Sequence, residues 1–281
     1  MLRFNFITIL FCLPALLGFS QKSELFIYKK VDTVKLYLEV KYPDNFNKAN
    51  QYPAMVFFFG GGWKTGDRSH FKNHAEYFAK RGIVCFLADY RTESKNSTTP
   101  FEALKDAKSA IRYIRKNASE FSLNPSKIIA SGGSAGGQLA AATALIKKYN
   151  DKNDDLSVDC EPDALVLYSP VIDNGPGGYG YERVADDYKD FSPLHNIKQG
   201  APPTIIFLGT EDQLIPVETA RYYQKVMGKV GSTCVLKLYN GEGHGFFNYN
   251  NPENYKSTVR ETDDFLQVLG YLEKNAEINA E

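Results

Sequence analysis

The chain has 281 residues, with 33 Lys and Arg against 33 Asp and Glu, so its formal net charge is zero. This balance provides no long-range attraction to nucleic acid or to an anionic membrane, and we expect neither as a partner. The length suits one large α/β domain. Aromatic residues make up 14% of the chain, enough to fill a core and to line part of a binding surface.

Residues 1–20 have the layout of a cleaved secretory signal. A short basic start precedes an apolar run over residues 6–19, and the small residues Gly18 and Ser20 lie just before Gln21. The run is too short to span a bilayer comfortably, and small residues at these positions are typical of signal cleavage. We therefore predict cleavage near Ser20 and Gln21 and a secreted or periplasmic protein. A membrane anchor or a buried first helix is the alternative.

Residues 21–281 are predicted to form a single domain that opens with two strands. These strands are Glu24–Val31 and Thr33–Tyr42. In the second strand, apolar residues alternate with polar ones. Such alternation is typical of an antiparallel hairpin with one face in solvent.

From Ala54 onward, apolar strands alternate with helical segments. The predicted strands are Ala54–Phe59, Ile83–Ala88, Lys127–Ala130, Ala164–Tyr168, Thr204–Leu208 and Cys234–Tyr239. The predicted helices are Ser69–Arg81, Pro100–Asn117, Ala135–Tyr149, Val217–Val230 and Tyr255–Lys274. This pattern predicts an α/β fold in which a mostly parallel eight-stranded sheet has an antiparallel start and helices on both faces. Such sheets bind ligands at the carboxyl ends of their strands.

A candidate nucleophile lies between the strand that ends at Ala130 and the helix that begins at Ala135. The segment Gly132–Gly136 (GGSAG) fits the G-x-S-x-G pattern, in which the serine hydroxyl projects from a strained strand-to-helix turn. A Cβ atom on either outer glycine would crowd the neighbouring strand and helix. The first helical turn also favours a developing negative charge. We interpret Ser134 as the nucleophile; a plain glycine-rich turn is the alternative.

A second glycine-rich segment, Gly60–Gly62, follows the strand that ends at Phe59. Three glycines let the backbone approach a substrate closely and turn its N–H groups inward. Such a loop supplies hydrogen-bond donors to a tetrahedral oxyanion, together with the N–H of the residue after the nucleophile, here Ala135. Two independent segments therefore agree on acyl transfer, with a flexible loop as the alternative.

A serine hydroxyl needs a general base to act as a nucleophile near neutral pH. The chain has four histidines. His244 follows the last predicted strand, which is where the base is expected if the three catalytic residues occur along the chain in the order serine, acid, histidine. His70 and His74 fall too early in the chain. His195 lies in a loop, where a surface or capping role is expected.

The acid that orients the base is expected after the preceding strand. The segment Gly209–Pro216 contains two acidic residues, Glu211 and Asp212. Such an acid holds the imidazole in the correct tautomer and stabilises its charged form. We favour Asp212 as this acid, with Glu211 as the alternative. A purely structural role, as a helix cap, is the non-catalytic alternative.

Together these segments resemble the hormone-sensitive-lipase-like and carbohydrate-esterase-like (acetyl-xylan-esterase-like) branch of the α/β-hydrolase superfamily, over Tyr52–Gly270. The matching segments are Phe59–Trp63, Asp89–Arg91, Gly132–Gly137, Gly209–Pro216 and Gly243–Phe246. The resemblance implies an α/β-hydrolase fold and hydrolysis of carboxylic esters through an acyl-serine, with no metal or organic cofactor. It also implies that the oxyanion donors are the N–H groups of Gly61, Gly62 and Ala135.

Phe59 departs from the resembled family, which usually has a histidine at this position. That histidine is expected to brace the glycine loop rather than to react. A phenylalanine can brace the loop only by packing.

The substrate is expected to lie under the segment Asp173–Tyr188, the one long loop of the predicted fold. Trp63, Tyr179 and Tyr181 are candidate substrate-binding residues; packing of these rings within the loop's own core is the alternative. The sequence indicates no separate lid domain, which favours a small acyl group over a long-chain lipid. We hypothesise that the partner is a small-molecule or carbohydrate ester, such as an acetylated sugar.

Three cysteines follow the predicted signal: Cys85, Cys160 and Cys234. An odd number leaves at least one free thiol, and no Cys/His pair has the spacing of zinc ligands. We therefore expect neither a disulfide framework nor a metal site. Two alternative functions stay open, namely a peptidase or amidase on the same fold and a secreted carbohydrate-binding protein without catalysis.

Overall fold

The computed structural model describes residues 23–274, so the signal peptide predicted over residues 1–20 lies outside the described residues. The described chain forms an eight-stranded sheet in the order β1-β2-β4-β3-β5-β6-β7-β8. The strands are β1 (Ser23–Val31), β2 (Val34–Lys41), β3 (Tyr52–Phe58), β4 (Val84–Ala88), β5 (Leu123–Gly133), β6 (Ala164–Tyr168), β7 (Thr204–Gly209) and β8 (Cys234–Tyr239). The β1–β2 and β2–β4 pairs are antiparallel, and every other pair is parallel.

Helices cover both faces of this sheet. The helices are α1 (Lys72–Lys80), α2 (Glu93–Asn96), α3 (Pro100–Lys116), α4 (Ala135–Leu145), α5 (Tyr181–Val184), α6 (Tyr188–Phe191), α7 (Val217–Lys229) and α8 (Pro252–Val268). Helices α3, α4 and α7 pack on one face, while α1 and α8 pack on the other. The predicted fold is therefore confirmed.

Residue alternation along β3 shows why both faces need helices. Val56 and Phe58 belong to the core beneath α3, α4 and α7, whereas Met55 and Phe57 belong to the core beneath α1 and α8. All four side chains are at most 1% exposed. A strand that is buried on both faces loses its polar–apolar alternation, which explains the continuous apolar run in the sequence.

Several element boundaries differ from the sequence prediction. Helix α4 ends at Leu145 rather than Tyr149, because the Nζ of Lys108 donates hydrogen bonds to the carbonyls of Ile146 and Lys148 and holds them outside the helix. The first helix starts as a 3₁₀ turn, and the last helix begins and ends earlier than predicted. The predicted long loop contains α5 and continues into α6.

The parallel strands place four segments at one edge of the sheet. The glycine loop follows β3, Ser134 follows β5, Asp212 follows β7 and His244 follows β8. Because the carboxyl ends of parallel strands meet at the same edge, these distant parts of the chain become neighbours. Among the described residues, no helix is long and apolar enough to cross a membrane.

Candidate active site

Ser134 occupies a strained turn between β5 and α4. Its backbone has φ of 54° and ψ of −121°, a combination that L-residues rarely adopt. A Cβ on Gly132 would lie 2.7 Å from the Phe58 carbonyl oxygen, and one on Gly136 would lie 2.6 Å from the Phe58 carbonyl carbon. Both contacts are too short for real atoms, so the sequence must have glycine at these two positions for the turn to form.

Three side chains from different strand ends form a continuous chain of hydrogen bonds. The Oγ of Ser134 lies 2.9 Å from the Nε2 of His244. The Nδ1 of His244 lies 2.8 Å from one carboxylate oxygen of Asp212 and 3.1 Å from the other. With Nδ1–H donating to the carboxylate, Nε2 is left as the acceptor for the serine proton.

Asp212 is held as a charged group beneath the imidazole. Burial opposes the charge, but hydrogen bonds from His244 and from the backbone N–H groups of Leu214 and Ile215 outweigh it and lower the pKa of the carboxyl. The alternative acid, Glu211, is exposed, and the hydrogen bonds of His244 are to Asp212. The geometry therefore favours Asp212 over Glu211.

The glycine loop is folded so that two of its amides have no protein acceptor. Gly61 and Gly62 have φ of 119° and 63°, and the Gly61 carbonyl accepts hydrogen bonds from the N–H groups of Lys64 and Thr65. The Gly62 carbonyl accepts a hydrogen bond from Arg183. Within residues 23–274, no hydrogen bond uses the N–H of Gly61 or Gly62. Ala135, as the first residue of α4, likewise has no intrahelical acceptor for its N–H.

Phe59 is buried against Tyr90, which belongs to the Asp89–Arg91 segment. Its side chain is 2% exposed, and its carbonyl oxygen accepts a 2.8 Å hydrogen bond from the Tyr90 hydroxyl. Arg91 forms a bidentate ion pair with the buried Asp106, which anchors the segment. The loop is therefore braced by packing and by a tyrosine hydroxyl at the point where the resembled family has a histidine.

The other three histidines have different surroundings. His74 is 1% exposed, and among the described residues its ring nitrogens have no hydrogen-bond partner. His195 is exposed, in accord with the expected surface role, and its Nδ1 lies 3.8 Å from Asp173; it belongs to the 3₁₀ turn Pro193–Asn196 rather than to an irregular loop. His70 contacts the glycine loop, since its Nδ1 accepts a 3.0 Å hydrogen bond from the Gly60 N–H. This contact was not predicted from the sequence. The only indication of it there is that His70 follows the glycine loop by a few residues.

The candidate substrate-binding aromatics differ in their access to solvent. Trp63 is only 1% exposed, because the Arg183 guanidinium lies 5.0 Å from its ring centroid and the Phe191 ring packs at its edge. Little of the Trp63 ring is therefore open to solvent, although Trp63 lines a cavity next to the glycine loop and stays a candidate substrate-binding residue. Tyr179 and Tyr181 are partly exposed, and the Tyr179 hydroxyl lies close to Gly62.

Two cavities border this region. The larger, about 730 Å³, is lined by Trp63, Lys64, Arg183 and the hydroxyl-rich segment Glu93–Pro100. A smaller one, about 210 Å³, lies between residues 173–179 and residues 214–219. Leu214 and Ile215, which line this smaller cavity, donate their backbone N–H groups to Asp212. The segment over residues 173–179, which forms the opposite wall, therefore borders the candidate active site.

Neither a metal site nor a disulfide is formed by the part of the chain that the structure describes. No group of three or more His, Cys, Asp or Glu side chains there is arranged to hold a metal ion. Cys85, Cys160 and Cys234 are free thiols. Burial raises the pKa of all three thiols, so they behave as small apolar side chains.

Comparisons with known proteins connect this geometry to ester hydrolysis. A family model described as BD-FAE matches residues 38–174, and one described as the dienelactone hydrolase family matches residues 177–274. Acetylxylan esterase from Xylanibacter ruminicola is 25% identical over 77% of this chain and 44% of its own length. Esterase LipC from Mycobacterium tuberculosis is 30% identical over 69% of this chain and 53% of its own length. The chain spans about half the length of the curated relatives it matches.

A solved structure is more similar. Thermogutta terrifontis esterase 2, phosphorylated by paraoxon, has a TM-score of 0.86 and 40% identity over 90% of this chain and 96% of that chain. The same esterase with butyrate bound has a TM-score of 0.86 and 39% identity over 90% of this chain and 96% of that chain.

Proposed function

This chain belongs to the esterases of the α/β-hydrolase family, and we propose that it hydrolyses carboxylic esters of short acyl chains through an acyl-serine intermediate. The observation that carries the proposal is the continuous chain of hydrogen bonds from Ser134 through His244 to Asp212. The same relative positions of nucleophile, base and orienting acid occur in serine hydrolases of unrelated folds, in which the three residues follow one another in a different order along the chain.

In the proposed mechanism, Ser134 Oγ attacks the ester carbonyl carbon while His244 Nε2 takes its proton. Asp212 stabilises the imidazolium that forms. The N–H groups of Gly61, Gly62 and Ala135 donate to the oxyanion of the tetrahedral intermediate. His244 then returns the proton to the departing alcohol. A water molecule, deprotonated by the same imidazole, attacks the acyl-serine; the bond between the acyl carbon and Ser134 Oγ breaks, His244 returns the proton to Oγ, and the carboxylic acid leaves.

Support for a short acyl group comes from the related esterase and from the site itself. Thermogutta terrifontis esterase 2 has been solved with butyrate bound. In this chain, Tyr179 and Arg183 lie against Gly62, so the side chains next to the proposed oxyanion donors restrict the space there.

An acetylated carbohydrate is a second candidate substrate. The cavity of about 730 Å³ next to the glycine loop has two serine hydroxyls and charged side chains among its lining residues, which suit the hydroxyls of a sugar. One relative of the chain is an acetylxylan esterase. The two serines are Ser94 and Ser97; Thr98 and Thr99 also line the cavity, but the Thr98 hydroxyl is buried and the Thr99 hydroxyl caps α3.

Export from the cytoplasm is proposed on the sequence pattern of residues 1–20 alone. Amino-terminal sequencing of the protein recovered outside the cytoplasm tests it. A mature chain that starts at Gln21 is the expected result. An intact Met1 on membrane-bound protein would instead indicate an anchor.

The activity is tested with p-nitrophenyl acetate, butyrate, octanoate and palmitate, each measured on the wild type and on Ser134→Ala. We expect the highest kcat/KM on acetate or butyrate and no enzyme-dependent turnover by the variant. Highest activity on palmitate would reject the short-chain proposal. Acetate release from acetylated xylan, compared with the p-nitrophenyl esters, tests the carbohydrate substrate; no release would reject it.

A further inference from the structure

His70 connects two loops of the proposed active site. Its Nδ1 lies 3.0 Å from the backbone nitrogen of Gly60, and its Nε2 lies 2.7 Å from the Oδ1 of Asn248. A backbone N–H can only donate, so Nδ1 must be the unprotonated acceptor. Nε2 therefore carries the hydrogen and donates it to the Asn248 oxygen. This pair of contacts requires the neutral imidazole in a single tautomer.

The contact with Gly60 completes the bracing of one peptide group. The carbonyl of the Phe59–Gly60 peptide accepts from the Tyr90 hydroxyl at 2.8 Å, and its N–H donates to His70. A peptide unit is planar, so partners at both ends fix its orientation. The next two amides in the chain, of Gly61 and Gly62, are the proposed oxyanion donors, and their direction depends on how this peptide is set.

The contact with Asn248 reaches the loop that carries the proposed base. Asn248 closes a turn after His244, with its own N–H donating to the Gly245 carbonyl at 3.1 Å. The Phe247 ring lies 6.0 Å and the Phe71 ring 4.6 Å from the His70 ring, between centroids. His70 is thus held by two hydrogen bonds and by contacts with these two rings, although the residue as a whole is exposed.

The surroundings of His70 favour the neutral form. Burial lowers the pKa of this imidazole, although the hydrogen bond with Asn248 and the nearby carboxylate of Asp67 act in the opposite direction. The other titratable group nearby is His74 on α1, which is itself buried and neutral. Near neutral pH, Nδ1 is therefore available to accept from Gly60.

We propose that His70 is a positioning residue of the esterase: it orients the glycine loop through Gly60 and ties that loop to the loop of His244 through Asn248. This inference rests on the proposed function. His70 performs no proton transfer with the substrate. It acts through the direction of the oxyanion donors, which matter most in the transition state, so its loss lowers kcat more than it changes KM.

The test compares His70→Leu with His70→Gln, in steady-state kinetics on the short-chain ester that the wild type hydrolyses fastest. Leucine removes both hydrogen bonds, whereas glutamine retains one acceptor and one donor on a side chain of similar reach. We expect His70→Leu to lower kcat by about 10- to 100-fold with KM within about threefold, short of the loss typical when a whole oxyanion donor is removed. His70→Gln should recover kcat to within a few-fold of the wild type.

His195→Leu is the matched control, because His195 is also an exposed histidine in a 3₁₀ turn but contacts Asp173 and Tyr188 instead. It should leave kcat unchanged. Thermal melting of every variant checks folding. If His70→Leu does not fold, Asn248→Ala removes one of the two contacts and should lower kcat several-fold.

Unchanged kcat in His70→Leu, equal losses in the leucine and glutamine variants, or an effect on KM alone would overturn the positioning role. So would an unchanged kcat in Asn248→Ala, if that variant has to replace the leucine one. A wild type without Ser134-dependent ester hydrolysis would instead defeat the proposed function, and this inference with it.

Discussion

The ring of Phe59 lies parallel to the ring of Tyr90, with 3.9 Å between their centroids and 12° between their planes. The same tyrosine donates its hydroxyl hydrogen to the Phe59 carbonyl. One side chain therefore supports both the ring and the backbone at the start of the glycine loop.

Tyr90→Phe should keep the stacked rings but leave the Phe59 carbonyl without its donor. A buried carbonyl that loses its partner costs about 1–3 kcal/mol, so the free energy of unfolding in urea should fall by that amount. The kcat for ester hydrolysis should fall by up to about tenfold, since the adjoining peptide is less firmly held. Tyr222→Phe is the control, because Tyr222 is 57% exposed. Equal stability of Tyr90→Phe and wild type would show that this hydrogen bond contributes nothing.

Gly136→Ala should prevent the serine turn from forming. The added methyl would overlap the Phe58 carbonyl group, which is backbone and has little freedom to move. Soluble yield, circular dichroism and ester turnover should all fall sharply. Gly228→Ala is the matched control, because Gly228 lies in α7 with no atom within 4 Å of the added carbon. That variant should be more stable by about 0.5–1 kcal/mol. A folded, active Gly136→Ala would refute the steric argument.

Asp212→Asn should lower kcat by about 10⁴-fold, as the same change of the orienting carboxylate does in a serine protease triad. Asparagine leaves the shape but offers His244 Nδ1 an uncharged partner. Glu211→Gln changes the neighbouring carboxylate, which is exposed, and should alter kcat less than threefold, in keeping with a weak surface charge effect. Steady-state kinetics on a short-chain ester measure both. The reverse ranking would assign the acid to Glu211.

His74→Phe should make the protein more resistant to acid. Burial lowers the pKa of His74 from 6.5 to about 3, so the unfolded chain binds a proton at this residue more readily than the folded chain. The folded state therefore keeps its full stability above pH 6.5, where His74 is neutral in both states, and loses stability as the pH falls from 6.5 towards 3. The linkage between protonation and folding predicts that His74 lowers the free energy of unfolding by about 2 kcal/mol between pH 7 and pH 5. Urea unfolding at pH 7 and pH 5 should show that the loss of unfolding free energy between these two pH values is smaller by this amount in His74→Phe than in the wild type. If the free energy of unfolding depends on pH in the same way in the wild type and in His74→Phe, His74 is not a cause of the acid sensitivity.

The serine turn and the chain order of the proposed triad could be predicted because each is encoded locally. Gly132 and Gly136 flank Ser134 in a short motif, and the acid and histidine segments each follow an apolar strand. Parallel pairing of those strands brings their ends to one edge of the sheet, so the fold class was enough to bring distant residues together.

The supporting contacts could not be predicted because they join residues far apart in the chain. His70 and Asn248 are separated by 178 residues, and Arg183 and Gly62 by 121. Trp63 is buried for the same reason, since Arg183 and Phe191 arrive from a segment whose path a sequence pattern does not give. The early end of α4 likewise depends on Lys108, which lies on another helix.

The identity of the nucleophile is the central claim, and reaction with paraoxon tests it most directly. Intact mass measurement should show one diethylphosphoryl adduct on the wild type, peptide mapping should locate it on Ser134, and ester hydrolysis should be lost in proportion to labelling. Ser134→Ala should remain unmodified. A wild type that stays unmodified while it hydrolyses esters, or an adduct on any residue other than Ser134, would contradict the account.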